Sequence, residues 1–223
     1  MKKKLISVII PAYNEEGYIS KTLEAIKNQK YQPIEIVVIA DSCTDKTKSI
    51  ASKYTDNLYE INERRIAKAR NYGAKKANGQ ILVFNDADTL FSENYLEKIA
   101  EFCSEKRDYG CAKMLSETKN PLHILHSKIL NYHSKYNHYF HGNFFISKDL
   151  FFQFNGFQEK MIKGEDTDLA ERLKGKGNYH FLEESHIIPS MRKINFFSFI
   201  RGSLEGNLYL YFPKVYYSFF KEK

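Results

Sequence analysis

The sequence has 223 residues, 43% of them hydrophobic, and a formal net charge of +7. This apolar fraction excludes an intrinsically disordered chain, and the length suits one large domain or two lobes that share a core. The positive charge favours anionic partners such as phosphates or acidic lipid headgroups. Because the basic residues are scattered along the chain, we expect no nucleic-acid partner. Three cysteines without metal-type spacing predict free thiols in a reducing compartment.

The apolar runs are all shorter than a membrane span, which takes about 18 to 20 residues. The first run, LISVII, follows three lysines but ends at once at Pro11 and the polar residues behind it. It is too short for a signal peptide, and no small-residue cleavage site follows it. We therefore expect the protein in the cytoplasm, either in solution or at the inner face of the membrane.

The first half of the sequence alternates between apolar runs and amphipathic stretches. Apolar runs at residues 5–10, 35–40 and 81–85 predict buried strands. Apolar residues at helical spacing predict helices in the stretches between and after these strands, which are 13–29, 42–54, 66–77 and 92–106. The predicted boundaries include an N-cap at Thr44, a helix start at Ser92 and closure of the helix at 66–77 by Gly79. This alternation predicts an α/β fold with a parallel, doubly wound sheet.

Periodicity is weaker after about residue 113. Residues 121–146 predict a helix running into a strand, 164–177 a short helix, and 186–190 another strand. No repeat or linker marks a domain boundary, so we expect this half to complete the same sheet. Residues 196–223 form a tail with ten aromatic residues and several basic ones. Two interpretations of the tail stay open: a helix packed on the core or on a second subunit, or contact with a membrane surface.

Acidic residues follow the second and third predicted strands. Asp41 follows the second strand, and Asp86 and Asp88 follow the third with one alanine between them. Ligands of an open parallel sheet bind beyond the carboxyl ends of its strands, so these acids should share one edge. Residues two apart in extended chain point to the same side, so Asp86 and Asp88 can bind one Mg²⁺ or Mn²⁺ ion. An ordinary polar turn is the alternative.

A second acidic cluster, GEDTD, begins at Gly164 and lies at the predicted start of a helix. The helix dipole favours acids in the first turn, which gives the cluster a purely structural explanation. Three acids in four residues are nevertheless more than a helix cap needs. An aspartate in this position could also serve as a general base.

Four motifs together resemble those of glycosyltransferase family 2, whose members have the GT-A fold. In chain order the motifs are VIIPAYNEEGYISKTLEAI, VVIADSCTDKT, AKARNYGAKKANGQILVFNDADT and FNGFQEKMIKGEDTDLAERLKGKG. The resemblance runs from about Leu5 to about Arg192. It implies a Rossmann-like, mostly parallel central sheet with helices on both faces. It further implies transfer of a sugar from a nucleotide-diphosphate donor to an acceptor nucleophile, usually with Mg²⁺ or Mn²⁺.

The resemblance also implies roles for single residues on the donor side. The residues that match the nucleotide-binding positions of the family are Pro11, Tyr13, Glu15, Asp41 and Arg70. Asp41 matches the acid that contacts the base, and Arg70 matches a basic residue near the nucleotide. The second motif departs from the paired acids and glycine of many relatives, because it reads Ala40-Asp41-Ser42-Cys43. This departure implies that one nucleotide contact of the family is lost or replaced in this chain.

The implied chemistry divides the remaining acids between two roles. Asp88 would bind the metal, and Asp86 would contact the metal or the ribose. Asp166 would be the catalytic base, with Glu165 beside it contacting the acceptor or supporting the site. A base is needed because an acceptor hydroxyl is a weak nucleophile until its proton is removed. Attack opposite the leaving group inverts the anomeric carbon, so the base should lie on a different segment from the metal ligands.

We expect residues 1–195 to form one catalytic domain, with a nucleotide-sugar-binding half at 1–113 and an acceptor and catalytic-base half at 114–195. The expected acceptor is a glycan, a lipid-linked molecule or a small molecule. The sequence leaves open whether His186 or Arg192 joins the site. A nucleotidyltransferase is disfavoured because no phosphate-binding glycine-rich loop follows the first strand. A catalytically silent nucleotide-sugar-binding or membrane-surface module is the remaining alternative.

Overall fold

The computed structural model describes residues 3–103, 105–192 and 194–195. The strands in this part of the chain are β1 (Ile6–Ala12), β2 (Ile34–Asp41), β3 (Leu58–Ile61), β4 (Ile81–Phe84), β5 (Thr89–Phe91), β6 (Asp108–Met114), β7 (Phe144–Ser147) and β8 (Asn178–Pro189). The helices are α1 (Ile19–Lys27), α2 (Thr47–Ala51), α3 (Ile66–Lys76), α4 (Tyr95–Phe102), α5 (Pro121–Asn137), α6 (Lys148–Gln153) and α7 (Glu165–Leu173). These strands form one sheet in the order β3-β2-β1-β4-β7-β6-β8-β5.

The three strands predicted in the first half form, together with β3, a part of this sheet in which all strands are parallel. β1 pairs in parallel with β2 and β4, and β2 pairs in parallel with β3. In the other part, β7 runs antiparallel to β4 and β6, β5 runs antiparallel to β8, and β6 and β8 are parallel. The carboxyl ends of β1, β2 and β4 therefore lie side by side, and the segments that follow them meet at one edge.

The strands divide their side chains between two cores, because successive residues of a strand point to opposite faces. Val8 of β1 packs in one core with α1 and α4, whereas Ile9 packs in the other with α3, α6 and α7. Helices therefore cover both faces of the sheet, as predicted. Each large apolar side chain buried in this way contributes about 1.5–3 kcal/mol. Within the described residues, no helix combines the length and the apolar character that a membrane crossing requires.

The sequence does not predict β3, β5 and β6. β3 is mostly half-buried and β5 has three residues, so neither shows a clear periodic pattern. β6 contains Asp108, Gly110 and Lys113, which are poor strand formers. β8 is longer than the predicted strand at 186–190, because it already pairs with β6 at Asn178.

Two predicted helix starts are wrong. α2 begins at Thr47, because the Thr44 N–H donates to Asn14 Oδ1 at 2.8 Å and holds the intervening loop against the end of β1. α4 begins at Tyr95, whose N–H donates to the carbonyl oxygen of Ser92 at 3.0 Å in the turn before the helix. The first difference involves a bond to a residue 30 positions away, and the second a turn directly before the helix. Helix-capping preferences encode neither contact.

The helix predicted at 66–77 agrees with α3 to within one residue, but Gly79 does not close it, because the helix ends at Lys76 and its C-cap is Ala77. Gly79 fits this position for another reason. A Cβ there would lie 2.6 Å from Ser7 Oγ and 2.7 Å from the carbonyl oxygen of Leu5. The absence of a side chain thus lets the chain turn from α3 into β4 directly against β1.

Three predictions about the organisation of the chain are not tested by this fold. Residues 196–223 lie outside the described residues, so both interpretations of the tail stay predictions. The predicted boundary between the two halves of the domain, at residue 113, falls within strand β6. The arrangement of residues 1–195 as one catalytic domain with two halves likewise stays a prediction.

Candidate active site

The carboxyl ends of β1, β2 and β4 surround a cavity of about 400 Å³. The cavity is lined by six of the predicted site residues, which are Pro11, Tyr13, Glu15, Asp41, Asp86 and Asp88. Side chains that the sequence does not single out complete the lining, and these are Ala12, Arg64, Arg65, Ile66, Ala69 and Ala87. The predicted residues Arg70, Glu165 and Asp166 are not part of this lining.

Asp41 builds one wall of the cavity by binding a loop. Its carboxylate accepts backbone N–H bonds from Glu63 and Arg64 at 2.9 Å and from Arg65 at 3.0 Å. The Ser42 hydroxyl donates a fourth bond at 3.0 Å. One buried carboxylate therefore fixes the loop that carries both cavity arginines. The contact between Asp41 and a nucleobase stays a prediction.

Tyr13 and Arg64 stand together in the cavity lining. Arg64 Nη2 donates to Tyr13 Oη at 2.7 Å, and the guanidinium carbon lies 4.9 Å from the centre of the tyrosine ring. The Tyr13 side chain is largely exposed. A planar aromatic face beside a cation suits a ligand that combines a flat ring with negative charge. In the sequence, the adjacent arginines Arg64 and Arg65 before α3 are the signal that could have indicated a cation beside Tyr13.

Asp86 lies on the inner wall, directly after β4. Its backbone N–H donates to Asn143 Oδ1 at 3.0 Å, and its carboxylate accepts from Arg70 Nη2 at 2.8 Å. Asn143 is buried, and it fixes the direction in which the chain leaves β4. The sequence does not predict a role for Asn143, because nothing in a single asparagine shows which backbone group it will bind.

Arg192 lies among the acids at the opposite wall. Its Nη2 donates to both carboxylate oxygens of Glu15, at 2.5 and 2.6 Å, and lies 3.0 Å from Asp88 Oδ2. Its guanidinium carbon lies 4.1 Å from the ring centre of Tyr18. The cation thereby reduces the repulsion between two acids that face the same cavity. Arg192, which the sequence left undecided, thus contacts two acids of the cavity lining.

Arg70 connects the cavity wall to the start of α7. Its Nη2 binds Asp86, and its Nη1 donates to Glu165 Oε1 at 2.8 Å. Only 1% of its side chain is exposed, so it lies behind the cavity wall. Burial alone would lower the pKa of this guanidinium, but Asp86, Glu165 and Asp166 raise it above its usual range. Arg70 is therefore a permanent cation shared between two acidic segments.

Gly142 lies between Asp86 and Asp166. Its N–H donates to Asp166 Oδ2 at 2.8 Å, and its carbonyl oxygen accepts from Arg70 Nη2 at 3.1 Å. A Cβ at this position would lie 2.7 Å from Asp86 Oδ2, and the residue has a φ of +88°. Only glycine meets both requirements without strain. The sequence does not predict this residue, since its role depends on three segments that meet only in the fold.

The acids at the start of α7 differ in burial. Asp166 is half-buried, and its Oδ1 accepts from the N–H of Thr167 at 2.8 Å. Glu165 is buried, and this burial together with the charge of Asp166 raises its pKa to about 7, although Arg70 opposes the shift. Asp168 binds Arg172 within the helix at 2.8 Å. Of the three acids, Asp166 is the one whose carboxylate accepts backbone N–H bonds from Gly142 and Thr167. Gly142 also lies against Asp86.

His141 precedes Gly142 and lies close to Asp166. Burial lowers the pKa of His141 to about 4, although the charge of Asp166 opposes this shift. Its Nε2 is buried and has no hydrogen-bond partner within the described part of the chain. The imidazole is therefore neutral at physiological pH, so His141 places no positive charge beside Asp166.

The D-x-D pair offers hard oxygen donors for a divalent cation. The side chains of Asp86 and Asp88 are 34% and 17% exposed. Among the residues that the structure describes, no three histidine, cysteine, aspartate or glutamate side chains lie close enough to hold a metal. This set fits Mg²⁺ or Mn²⁺ bound by one or two carboxylates and completed by phosphate oxygens, but not a zinc site with three or four protein ligands. His186 lies in β8, where its N–H donates to Ser92 Oγ at 3.1 Å.

Comparison with known proteins identifies the family. Residues 7–163 match the family model described as Glycosyl transferase family 2. The chain belongs to this family. An uncharacterized glycosyltransferase of Haemophilus influenzae is 35% identical over 108 residues, which are 46% of this chain and 43% of that protein. The minor teichoic acid biosynthesis protein GgaB of Bacillus subtilis is 34% identical over 110 residues, 46% of this chain and 12% of GgaB. The chain thus spans less than half the length of these family 2 relatives.

Solved structures show the same fold. The mannosyltransferase PcManGT from Pyrobaculum calidifontis, in complex with GDP-Man and Mn²⁺, has a TM-score of 0.75 and 20% identity over 92% of this chain and 62% of its own. S. aureus TarS 1–349 in complex with UDP-GlcNAc has a TM-score of 0.67 and 23% identity over 92% of this chain and 66% of its own. The predicted GT-A fold, an α/β fold with helices on both faces of a mostly parallel sheet, is confirmed.

Proposed function

We propose that this family 2 chain is a metal-dependent, inverting glycosyltransferase. It moves a sugar from a nucleotide-diphosphate donor to a hydroxyl group of an acceptor. The acceptor is a glycan, a lipid-linked molecule or a small molecule, and the product belongs to a cell-surface glycan, a polysaccharide or a glycolipid. The relatives GgaB and TarS support this assignment, since their names place them in minor teichoic acid biosynthesis and in N-acetylglucosamine transfer to poly(ribitol-phosphate).

The observation that carries the proposal is the shared contact at Gly142. Asp166 accepts the N–H of Gly142, and the Asp86 carboxylate lies against its Cα. The acid proposed as the base and the acid proposed for the donor therefore lie on two sides of one residue, although 80 positions separate them in the sequence. This proximity of two acids from different segments supports inversion, because an inverting enzyme needs a base close to the donor but on a segment other than the one that holds the leaving diphosphate.

Donor binding is proposed for the cavity. Pro11, Tyr13 and Arg64 offer an aromatic and cationic surface to the nucleotide, with Asp41 holding the loop behind it. Structure neighbours bind UDP-GlcNAc, UDP or GDP-Man, which supports a nucleotide sugar as the donor of this chain.

Asp86 and Asp88 would hold Mn²⁺ or Mg²⁺. When bound, the cation supplies a Lewis acid that stabilises the charge on the departing diphosphate. Arg192 lies 3.0 Å from Asp88, so it must yield part of this carboxylate when the cation binds. It remains within reach of the same region and can then face the diphosphate as a second positive charge.

Asp166 is the proposed catalytic base. Its Oδ2 is oriented by Gly142 and its Oδ1 by Thr167. As the acceptor oxygen forms its bond to the anomeric carbon, the bond from that carbon to the diphosphate oxygen breaks and Asp166 takes the hydroxyl proton. Glu165 supports the base by binding Arg70 from the buried side.

The three cysteines support a cytoplasmic site of action. Cys103 and Cys111 are buried free thiols, and Cys43 is half-buried and also free. Burial raises the pKa of Cys103 to about 12 and that of Cys111 to about 11. Unpaired cysteines are typical of a reducing compartment.

The first test is a thermal-shift panel of nucleotides and nucleotide-diphosphate sugars, each measured with and without Mn²⁺. We expect one nucleotide class to raise the melting temperature in the presence of Mn²⁺ more than in its absence, because binding to the folded state stabilises it. A panel without any metal-dependent shift would contradict the proposed donor site.

The second test replaces the base. Asp166→Asn should keep metal-dependent donor binding and reduce transfer by at least about a hundredfold, the usual contribution of a general base. Asp149→Asn is the control, since this exposed aspartate lies in α6 and pairs with Lys106. Normal turnover by the Asp166 variant would exclude it as the base. Donor binding without any metal-dependent transfer or donor hydrolysis by the unmodified protein would instead indicate a catalytically silent binding module.

A further inference from the structure

Helix α7 carries the proposed base, and in the described part of the chain polar contacts connect it to α3 at two places. The first is the ion pair of Arg70 with Glu165 at the start of α7. The second lies about two turns further along the helix, where Arg172 binds the residues 154–157 that follow α6. We call these four residues the α6–α7 turn. Because the turn also binds α3, it connects the two helices a second time.

The contact between the turn and α3 is made by Asn71, the residue after Arg70. Its Oδ1 accepts the backbone N–H of Phe157 at 2.9 Å, and its Nδ2 donates to the carbonyl oxygen of the same residue at 2.9 Å. Nδ2 also donates to Glu159 Oε1 at 3.0 Å. The side-chain amide thus pairs with both backbone groups of Phe157 and fixes the position of this residue relative to α3.

The contact between the turn and α7 is made by Arg172. Its Nη1 donates to the carbonyl oxygen of Phe154, and its Nη2 donates to that of Gly156 at 2.6 Å. Its Nε donates to Asp168 Oδ2 at 2.8 Å, one helical turn earlier. Since Asp168 holds the guanidinium against its own helix, a displacement of the turn would also displace α7.

Gly156 allows the turn to approach Asn71 closely. Its φ is +58°, and a Cβ would lie 2.6 Å from Asn71 Oδ1 and 2.9 Å from the ring of Phe151. A side chain at this position would therefore push the turn away from α3. Asn71 is buried within α3, although asparagine is a poor residue for the middle of a helix. The contact with the turn offsets this local cost.

Asn71 is not part of the lining of the donor cavity, so its effect on the reaction must be indirect. Leu169 and Leu173 bury one side of α7 in the core, but hydrophobic contacts are non-directional and leave the rotation of a helix loosely determined. The two polar connections, at Glu165 and Arg172, are about 10 Å apart along the helix axis. Two directional contacts at this separation determine how α7 is rotated.

We propose that Asn71 is a positioning residue for Asp166, an inference that rests on the role of Asp166 as base in the proposed function. Through the α6–α7 turn and Arg172, Asn71 fixes the rotation of α7, and this rotation sets the distance between Asp166 and Asp86. A displacement of about 1 Å can slow a reaction by about a hundredfold. Loss of the Asn71 contact should therefore slow the transfer step and leave donor binding intact.

Asn71→Asp tests the proposal with almost no change in shape. An aspartate can accept the N–H of Phe157, but it cannot donate to the carbonyl oxygen of Phe157 or to Glu159. We expect kcat to fall by about a hundredfold, while the KM for the donor and metal-dependent donor binding in calorimetry stay unchanged. Asn155→Asp is the matched control, because it makes the same chemical change at an exposed position of the same turn.

Two outcomes of this comparison would overturn the proposal. The first is a normal kcat in the Asn71→Asp protein. The second is an equal loss of kcat and donor affinity, which would indicate general damage to the fold. Asn71→Ser removes the amide without adding a charge, and it takes the place of the aspartate variant if that protein does not fold.

A double-mutant cycle tests the path through Arg172. Arg172→Gln removes the contacts with Phe154 and Gly156 and should lower kcat in the same way. If both residues act through one connection, the double variant Asn71→Asp with Arg172→Gln should be at most about twofold slower than the slower single variant. Losses that multiply would show that Asn71 acts by another path and would contradict the proposal.

Hydrogen exchange followed by mass spectrometry measures the attachment of α7 without relying on activity. In the Asn71→Asp protein we expect the amides of Glu165–Leu173 to exchange about tenfold faster than in the Asn155→Asp protein, because loss of the contact raises the population of the locally open state. Exchange in β1 should be equal in both variants, which separates local opening from a loss of global stability. Equal exchange of α7 in the two variants would refute the attachment.

The exchange experiment also separates this inference from the proposed function. An unmodified protein that transfers no sugar would refute the proposed function and, with it, the role of Asp166 as base. Faster exchange of α7 in the Asn71→Asp protein would in that case still show that Asn71 holds the helix. Normal transfer by the unmodified protein, combined with unchanged exchange in the variant, would instead refute the inference alone.

Discussion

The two sides of the candidate site are built in different ways. On the donor side, Arg64 donates a hydrogen bond to Tyr13 in the solvent-accessible cavity, and Arg192 forms an ion pair with Glu15. On the base side, Arg70 is buried between Asp86 and Glu165, and Gly142 leaves no room for a side chain beside Asp86. Partly exposed ion pairs are weak and easily exchanged, whereas a buried cation that loses one partner leaves an uncompensated charge.

This difference separates two requirements of the proposed reaction. The donor side must admit and release a nucleotide in every cycle, so its ion pairs have to open. The base side must hold Asp166 in one position relative to Asp86, so its hydrogen bonds and ion pairs have to persist through the cycle. Substitutions on the base side should therefore affect folding and geometry, and those on the donor side should affect binding.

The largest effect is expected for Arg70→Met. Removing the cation leaves the buried Glu165 and the partly exposed Asp86 without their shared partner, which should lower the free energy of unfolding by about 3–5 kcal/mol. Denaturant unfolding measures this change. The control is Lys48→Met, which removes an exposed pair with Glu60 and should leave the unfolding midpoint unchanged. Equal stability of the two variants would show that Arg70 does not hold the base side together.

The next effect is expected for Gly142→Ala. The new methyl group would meet Asp86 Oδ2, and the residue would keep a left-handed φ, a conformation that costs about 1–3 kcal/mol. Gly175→Ala separates the two causes, because Gly175 has a φ of +70° and open space around it. We expect both variants to lose stability, but only Gly142→Ala to lose metal-dependent donor binding in calorimetry. The same donor affinity in both variants would refute a role of Gly142 at Asp86.

A smaller effect concerns pH. The pKa of Glu165 is raised to about 7 in the folded protein, above the usual value of about 4.3 for a glutamate in an unfolded chain. Between these values the folded state binds more protons, so the contribution of Glu165 to stability falls as the pH rises. We expect the unfolding free energy of Glu165→Gln, relative to the unmodified protein, to be higher at pH 8 than at pH 5. Denaturation at both values checks this, and a pH-independent difference would contradict the shifted pKa.

The smallest effect is expected for Arg192→Gln on the donor side. Without the guanidinium, Asp88 no longer has this competitor for a cation, so affinity for Mn²⁺ alone should rise by up to about fivefold, the value of a partly exposed ion pair. Titration followed by electron paramagnetic resonance measures bound Mn²⁺. Arg107→Gln is the control with the same charge change, since Arg107 binds the carbonyl oxygen of Lys176. A lower Mn²⁺ affinity would mean that Arg192 helps the metal to bind.

The sequence predicts the donor side better than the base side. Strands at 5–10, 35–40 and 81–85 are marked by apolar runs, and a parallel sheet brings their carboxyl ends together. The positions of Asp41, Asp86 and Asp88 at the cavity follow from this pattern alone. The short strand β5 escapes prediction, because three residues are too few to show a period.

The base side depends on contacts between distant segments. Gly142 and Asn143 act through backbone groups of residues that lie far away in the sequence, and no local pattern marks them. Arg70 matches a nucleotide-side position of the family, but its burial becomes visible only in the fold. Likewise, the spacing of α5 predicts a helix, but not that Tyr132 and Tyr136 are exposed while Ser127 and Ser134 are buried.

The sharing of one guanidinium also limits how the site can evolve. A change at Arg70 removes the cation that Asp86 and Glu165 share, and a change at either acid leaves the buried Arg70 with one partner fewer. The effects of the three substitutions therefore depend on one another. A lineage can replace this group only through several coordinated mutations, whereas Tyr13 and Arg64 can change one at a time. We therefore expect new donor preferences to arise at the mouth of the cavity while the acids behind it remain unchanged.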